Sequence, residues 1–297
     1  MKTPLFTGAN VAIVTPMHPD DSVNYEKLAE LIEFQIAGGI NAITICGTTG
    51  ESSTLTDPEH LEAIRFTVEK VAGRVPVIAG TGSNETVHAI ELSQEAEKYG
   101  ADGVLLVTPY YNKATPKGLI RHYTQIADSI HIPCIVYNVP SRTGVSMTVA
   151  AYKELSKHPL INGVKEASGS TGTVIRTIAA CGDALNVWSG NDDQIVPLMS
   201  VGAKGVISVM ANILPGETAA MAGACLKGDY AAAAKMQVEY MDLIDALFCE
   251  VNPIPVKTAM NLMGMNVGPL RMPLCEMEPA NEERLKKSLT AMGIKLA

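Results

Sequence analysis

Eight short apolar, β-branched runs alternate with amphipathic stretches from the start of the chain to about residue 225, which is the pattern of repeated βα units. The runs cover residues 11–15, 42–46, 75–79, 103–107, 133–137, 161–165, 185–189 and 205–209. Eight parallel strands close a barrel, so the expected fold is α/β, a (β/α)8 TIM barrel over residues 1–226. The segments between the runs carry helix signals. Asp57 followed by Pro58 predicts a cap and a first-turn proline ahead of Leu61, Ile64, Val68 and Val71. Thr115 and Pro116 repeat the device, and Leu28, Leu31, Ile32 and Ile36 share one helical face. Beyond Lys227 the alternation stops, and residues 236–247, 256–263 and 283–292 are helical in period. Residues 227–297 are therefore expected to form a helical C-terminal appendage. Helices left over after a barrel has closed need a surface to bury against, so a homo-oligomer contact is expected.

Composition excludes several classes. Hydrophobic residues make up 47% of the 297, yet no run approaches the roughly 18 to 20 apolar residues that cross a bilayer, so no membrane partner is expected. A net charge of −8 with scattered basic residues disfavours nucleic acid. The first ten residues hold one lysine and no apolar stretch, which predicts no secretory signal and a cytoplasmic setting. Cys46, Cys134, Cys181, Cys225, Cys249 and Cys275 contain no C-x-x-C pair, and the six histidines show no metal-ligand spacing. No metal is expected. Gly80-Thr81-Gly82 lacks the third glycine of a dinucleotide fingerprint, and no G-K-[ST] occurs, so no nucleotide cofactor is expected either. Asn191-Asp192-Asp193 puts two carboxylates where a barrel's phosphate clamp would form.

In a parallel barrel the active site lies at the C-terminal ends of the strands. Here those ends lead into Gly47-Thr48-Thr49-Gly50-Glu51-Ser52, Thr108-Pro109-Tyr110-Tyr111-Asn112, Tyr137-Asn138-Val139-Pro140-Ser141-Arg142-Thr143-Gly144 and Lys165-Glu166-Ala167-Ser168-Gly169. Lys165 constrains the chemistry most, because burial at a strand end disfavours an ammonium and favours a nucleophilic amine. The other reading of Lys165 is a structural ion pair with Glu166. Lys204, ahead of its strand, and Lys257, in the helical tail, are read as structural. Tyr137 is either a proton shuttle, relayed by Thr48 and Tyr110 or Tyr111, or an amphipathic core plug. The Thr48-Thr49 turn either presents N–H groups to a carboxylate or caps a helix. Arg142 offers a fork for a carboxylate, or is a solvated charge.

Taken in order and spacing, G-T-T-G-E-S, P-Y-Y-N, Y-N-V-P-S-R-T-G, V-K-E-A-S-G, G-V-I-S-V and N-P-I-P-V-K resemble the dihydrodipicolinate synthase family of pyruvate-dependent Schiff-base lyases and aldolases. The resemblance spans nearly the whole chain. It implies condensation of pyruvate with L-aspartate 4-semialdehyde, on the route to diaminopimelate and lysine, without a cofactor. It implies Lys165 as the Schiff-base lysine, Tyr137 as proton shuttle, Thr48 as its link, and Tyr111 as a relay member given to a neighbouring subunit. Thr49 is matched to the pyruvate-carboxylate binder, Arg142 to the semialdehyde-carboxylate binder, and Ile207 with Gly190 to the lining of the lysine pocket. It implies a homo-oligomer, a tetramer with a dimer as the alternative.

Members of this family often bind lysine as a feedback inhibitor, and the matching positions are Ser52, Ser53, His60, Asn84, His88 and Tyr110. Sensitive members typically carry a glutamate where this chain has His88, and often a histidine where it has Asp57. Loss of that anion predicts weak or absent feedback. Within the family the alternative is an N-acetylneuraminate or 2-keto-3-deoxy sugar acid lyase, sharing Lys165 and Tyr137 but taking a longer aldehyde. Outside it, the alternative is a non-catalytic 2-oxo-acid sensor.

Overall fold

A computed structural model describes residues 1–297. Eight parallel strands, β1 (Gly8–Ala12), β2 (Ala42–Ile45), β3 (Val77–Gly80), β4 (Gly103–Val107), β5 (Cys134–Asn138), β6 (Ile161–Glu166), β7 (Asn186–Ser189) and β8 (Gly205–Ser208), close into a barrel in sequence order. Twelve helices accompany them: α1 (Tyr25–Ala37), α2 (Asp57–Val71), α3 (Thr86–Lys98), α4 (Pro116–Asp128), α5 (Pro140–Thr143), α6 (Val149–Leu155), α7 (Thr171–Cys181), α8 (Ile195–Ser200), α9 (Pro215–Leu226), α10 (Tyr230–Leu247), α11 (Ile254–Leu262) and α12 (Pro279–Ala291). The fold is the (β/α)8 barrel that the alternation predicts, and α10 to α12 follow it as helices.

Element bounds shift by a few residues from the sequence reading, as at β3 and α10, and two of the differences have a local physical cause. The first strand begins at Gly8, three residues before the apolar run, because its ladder to β8 starts with Gly8 facing Gly205. Glycine carries no hydrophobic signal, and the buried residues Ile13 and Val14 lie beyond the strand. Helix α2 is capped by Thr56 and not by Asp57. Thr56 and Glu59 form a reciprocal capping box, which satisfies two backbone donors where Asp57 would satisfy one. Thr115 caps α4 as its spacing predicts.

Side chains alternate across each strand and divide the core in two. The barrel interior holds Ala12, Ala42, Ile78, Leu105, Ile135, Tyr137, Trp188 and Ile207, closed at the N-terminal end by Phe6, which stacks on Trp188 with centroids 5.0 Å apart. The outward faces pack against the helices in one continuous cluster that also takes in Leu243, Met260 and Leu285 from α10, α11 and α12. The C-terminal helices thus share the barrel's outer core. All six cysteines are free, with Cys46, Cys134, Cys181 and Cys225 buried. No helix is long and apolar enough to cross a membrane.

Candidate active site

Lys165 lies on β6 in register with Tyr137 of β5 and Trp188 of β7. It is 5% exposed. Its neighbour Glu166 faces the opposite way and accepts hydrogen bonds from Asn138 Nδ2 (2.9 and 3.2 Å), the Tyr152 hydroxyl (3.0 Å) and the Ser168 N–H (2.9 Å). Strand alternation therefore removes the ion-pair reading of Lys165, whose would-be partner is already satisfied. Burial lowers the amine's pKa to about 7, with the Asp192 carboxylate opposing the shift and the Arg142 guanidinium adding to it. Near neutral pH a large share of this amine is uncharged, against about one in a thousand for an ordinary lysine.

The rival lysines are structural. Lys257 is buried and paired with Glu51 at 2.7 Å, and it donates to the carbonyls of Thr15 and Pro269. Lys204 precedes β8 at the opposite end of the barrel, where its backbone N–H bonds to the Val187 carbonyl.

Tyr137 is 6% exposed, and its ring lies under the amine, with Lys165 Nζ 4.3 Å from the centroid. Burial raises the phenol's pKa, against the opposing influences of Arg142 and the adjacent Thr48 hydroxyl. Thr48 and Tyr137 line one small cavity with Gly80 and Leu105. The turn that carries Thr48 leaves β2 through Cys46, whose φ of +55° is unusual for a residue with a side chain. A Cβ on Gly80 would stand 2.1 Å from the Cys46 carbonyl oxygen, so only glycine lets β3 approach this turn. Within it, Gly50 and Ser52 bond to the Gly47 carbonyl and Glu51 to that of Thr48. The N–H groups of Thr48 and Thr49 bond to nothing in the chain. These free donors favour the carboxylate-cradle reading of the turn over the helix cap.

Arg142 stands in α5, and its guanidinium donates to the Asn252 carbonyl at 3.1 Å. Gly190 follows β7 and leaves room for the lysine, since a Cβ there would lie 3.2 Å from Lys165 Cε and 2.8 Å from Ala167 Cβ. Ile207 of β8 is fully buried among the interior residues. Asp192 accepts from the N–H groups of Val209 and Met210 at 3.0 and 2.9 Å. The backbone donors after β8 that a phosphate would need are therefore already taken.

A second cavity, of about 310 Å³, is lined by Ser52, Ser53, His60, His88 and Tyr110 together with Asp57, and it reaches Thr48 and Arg142. Five of the six residues matched to a regulatory pocket thus come together. The sixth, Asn84, is not among the lining residues and instead gives its carbonyl to Asn112 Nδ2 at 2.8 Å. His60 Nε2 lies 2.7 Å from the Gly80 carbonyl, so that nitrogen carries the proton, and burial lowers the imidazole's pKa. Asp57 is 3.1 Å from His88 Nε2. Asp57 thus puts a carboxylate in this cavity, beside His88. Tyr111 joins neither cavity: it is 89% exposed, on a loop where its φ is +73°.

Sequence reasoning missed two residues. Asp192 was read only as hostile to phosphate, although its charge acts on Lys165. Asn252 lies in the quoted N-P-I-P-V-K motif, but nothing in the local pattern shows that this tail segment returns to the barrel mouth.

Fold and site define a class: a (β/α)8 barrel enzyme with a desolvated lysine amine at its mouth and carboxylate-sized hydrogen-bond donors on the neighbouring turn. The model of the dihydrodipicolinate synthetase family matches residues 5–292, and the chain belongs to this family of lyases. A 4-hydroxy-tetrahydrodipicolinate synthase of Thermoanaerobacter sp. (strain X514) is 56% identical over 292 residues, covering 98% of each chain. Among solved structures, a dihydrodipicolinate synthase from Acinetobacter baumannii complexed with pyruvate is 42% identical with a TM-score of 0.95, covering 97% of this chain and 99% of that one. A dihydrodipicolinate synthase variant described as monomeric is 38% identical with a TM-score of 0.95, covering 98% of both.

Proposed function

We propose that this chain condenses pyruvate with L-aspartate 4-semialdehyde to give 4-hydroxy-tetrahydrodipicolinate, a step toward diaminopimelate and lysine. The observation that carries the proposal is the amine of Lys165, buried in the barrel mouth with no ion-pair partner and a pKa of about 7. The neutral amine attacks the keto carbon of pyruvate, and water leaves as the imine forms. The cationic imine draws electron density from the methyl carbon, which loses a proton to become an enamine. The enamine carbon then bonds to the aldehyde carbon. Finally the semialdehyde's own amine displaces Lys165 and closes the ring.

Each departure needs a proton carrier, and Tyr137, held as a phenol by burial beside the amine, takes that role. Thr48 links it outward. Tyr111 is too exposed to serve its own chain's cavity and fits a role in a neighbour's, which requires a homo-oligomer, a tetramer or a dimer. Thr49 with the free N–H groups of its turn receives the pyruvate carboxylate, Arg142 receives that of the semialdehyde, and Gly190 with Ile207 shapes the floor. We place the enzyme in the cytoplasm and assign the adjoining cavity a weak response to lysine, because its carboxylate at Asp57 already faces His88. A steep inhibition curve at sub-millimolar lysine would contradict that last assignment.

The test is to add pyruvate and borohydride and to search by mass spectrometry for a reduced adduct on the peptide containing Lys165. Absence of the adduct removes the mechanism. Pyruvate consumption with L-aspartate 4-semialdehyde set against longer sugar aldehydes separates the proposal from the sugar-acid lyases, and turnover itself separates it from a sensor.

A further inference from the structure

We propose that Asn252, in the segment between α10 and α11, is a positioning residue that fixes the direction in which Thr49 donates its hydroxyl proton. Asn252 is 5% exposed and reaches the mouth from the C-terminal helices. Its Nδ2 donates to Thr49 Oγ1 at 3.0 Å, and its backbone carbonyl accepts from Arg142 Nη2 at 3.1 Å. One residue thus touches both side chains assigned to the two substrate carboxylates.

The argument rests on the donor inventory of a hydroxyl, which has one proton to give and two lone pairs to receive. An amide NH2 can only donate, so the bond from Asn252 occupies a lone pair of Thr49 and turns its proton away. In this orientation of the amide that proton has no acceptor in the chain, and Asn252 Oδ1 is buried without a partner. The N–H groups of Thr48 and Thr49 are equally free, so a single turn offers three unused donors. A carboxylate is the ligand class that matches three donors, and such charge-assisted bonds are the strong ones. Without Asn252 the hydroxyl rotates freely, and with an acceptor in its place the proton is captured before substrate arrives.

This inference rests on the reading of Thr49 as the pyruvate-carboxylate binder, and the experiment separates the two. Asn252→Asp keeps the size but replaces the NH2 by an acceptor, whereas Asn252→Ala removes the group. Both leave the backbone carbonyl that holds Arg142. Asn252→Asp is expected to raise KM for pyruvate about tenfold or more, from the loss of one charge-assisted bond and from repulsion between the two carboxylates, with KM for the semialdehyde changed less than about threefold. Asn252→Ala, which keeps the assay informative should the aspartate variant not fold, is expected to raise it a few-fold. In a Thr49→Val background Asn252→Ala is expected to move pyruvate KM by no more than about twofold, because the hydroxyl it acts on is gone, whereas Asn252→Asp keeps the repulsion between its own carboxylate and that of pyruvate. Were the amide turned over, so that its oxygen took the Thr49 proton, Asn252→Ala would free that proton and leave pyruvate KM unaltered or lowered, and the inference would fall. It falls as well if Asn252→Ala weakens both substrates equally, or if the alanine effect persists without the Thr49 hydroxyl, since either marks a purely structural role. Should Thr49→Val itself leave pyruvate KM unchanged, the carboxylate reading fails and takes this inference with it.

Discussion

Lys165 and Tyr137 sit side by side on neighbouring strands, with the amine 4.3 Å above the centre of the phenol ring. The ring face favours an ammonium by about 0.5 to 2 kcal/mol, and burial favours the neutral amine. Burial lowers the amine's pKa to about 7 against the pull of the Asp192 carboxylate. The same burial pushes the phenol up, so it holds its proton at neutral pH. One desolvated space therefore prepares a nucleophile without a proton and a neighbour with one to give.

The first prediction concerns how the amine titrates. Only its neutral form attacks a ketone, so the initial rate of pyruvate-dependent borohydride trapping is expected to rise nearly tenfold per pH unit below about 7 and to level off above it. Lys165→Arg is expected to give no adduct at any pH. A rate that is flat between pH 5 and 7, once corrected for borohydride decay, would show that this amine is not the group being titrated.

A second prediction follows from linkage. The amine's pKa is about 7 when folded and 10.5 in a model chain, so between those values the unfolded state binds more protons and stability rises with pH. Below 7 both states are protonated and the full penalty, on the order of 5 kcal/mol for the whole shift, is present. Lys165→Met removes it. The variant is expected to be more stable than the parent by a few kcal/mol at pH 6.5, with the gap closing toward pH 10. Urea midpoints at the two pH values measure this, and a pH-independent gap would refute it.

The barrel, its strand order and the lysine at the end of β6 were legible because hydrophobic periodicity reports which face of each element is buried. Periodicity is silent where glycine does the pairing, which is why Gly8 was missed and β1 was expected three residues late. It is equally silent about long-range polar contacts. Thr49 was matched through the family resemblance, but its partner Asn252 lies 203 residues away, and no local pattern encodes that contact. Asp57 and His88 were visible as two single departures from a pattern, and only the fold brings them within 3.1 Å of each other.

Tyr111 yields the third prediction. Its exposed ring contributes nothing to its own chain's core, so Tyr111→Phe is expected to leave the thermal midpoint within about 1 °C. Turnover is expected to drop about tenfold or more if the hydroxyl completes a relay in a neighbour. Mixing this variant with an inactive Lys165→Arg chain is expected to restore part of the activity, because the arginine chains lend intact tyrosines to intact lysines. Full activity of Tyr111→Phe alone, or of an isolated monomer, removes the shared-site reading.

The last prediction tests how the C-terminal helices hold the substrate turn. Lys257 of α11 and Glu51, two residues after Thr49, form an ion pair whose side chains are 1% and 0% exposed. Glu51 takes a left-handed φ of +54°, and its second oxygen accepts from the Arg271 N–H at 2.9 Å. The lysine also meets the carbonyls of Thr15 and Pro269, so every charge in this buried knot has a partner. Removing one member of such a pair leaves the other charged and unpaired in the interior, at a cost of about 3 to 5 kcal/mol, whereas removing both costs less. Lys257→Met is therefore expected to lose stability in that range, and Glu51→Gln with Lys257→Met to recover part of it. Because Glu51 anchors the turn that carries Thr48 and Thr49, whatever activity survives in the single variant is expected to show a raised KM for pyruvate. An unfolding free energy from urea titration for Lys257→Met within about 1 kcal/mol of the parent would mean that the pair does not hold the turn.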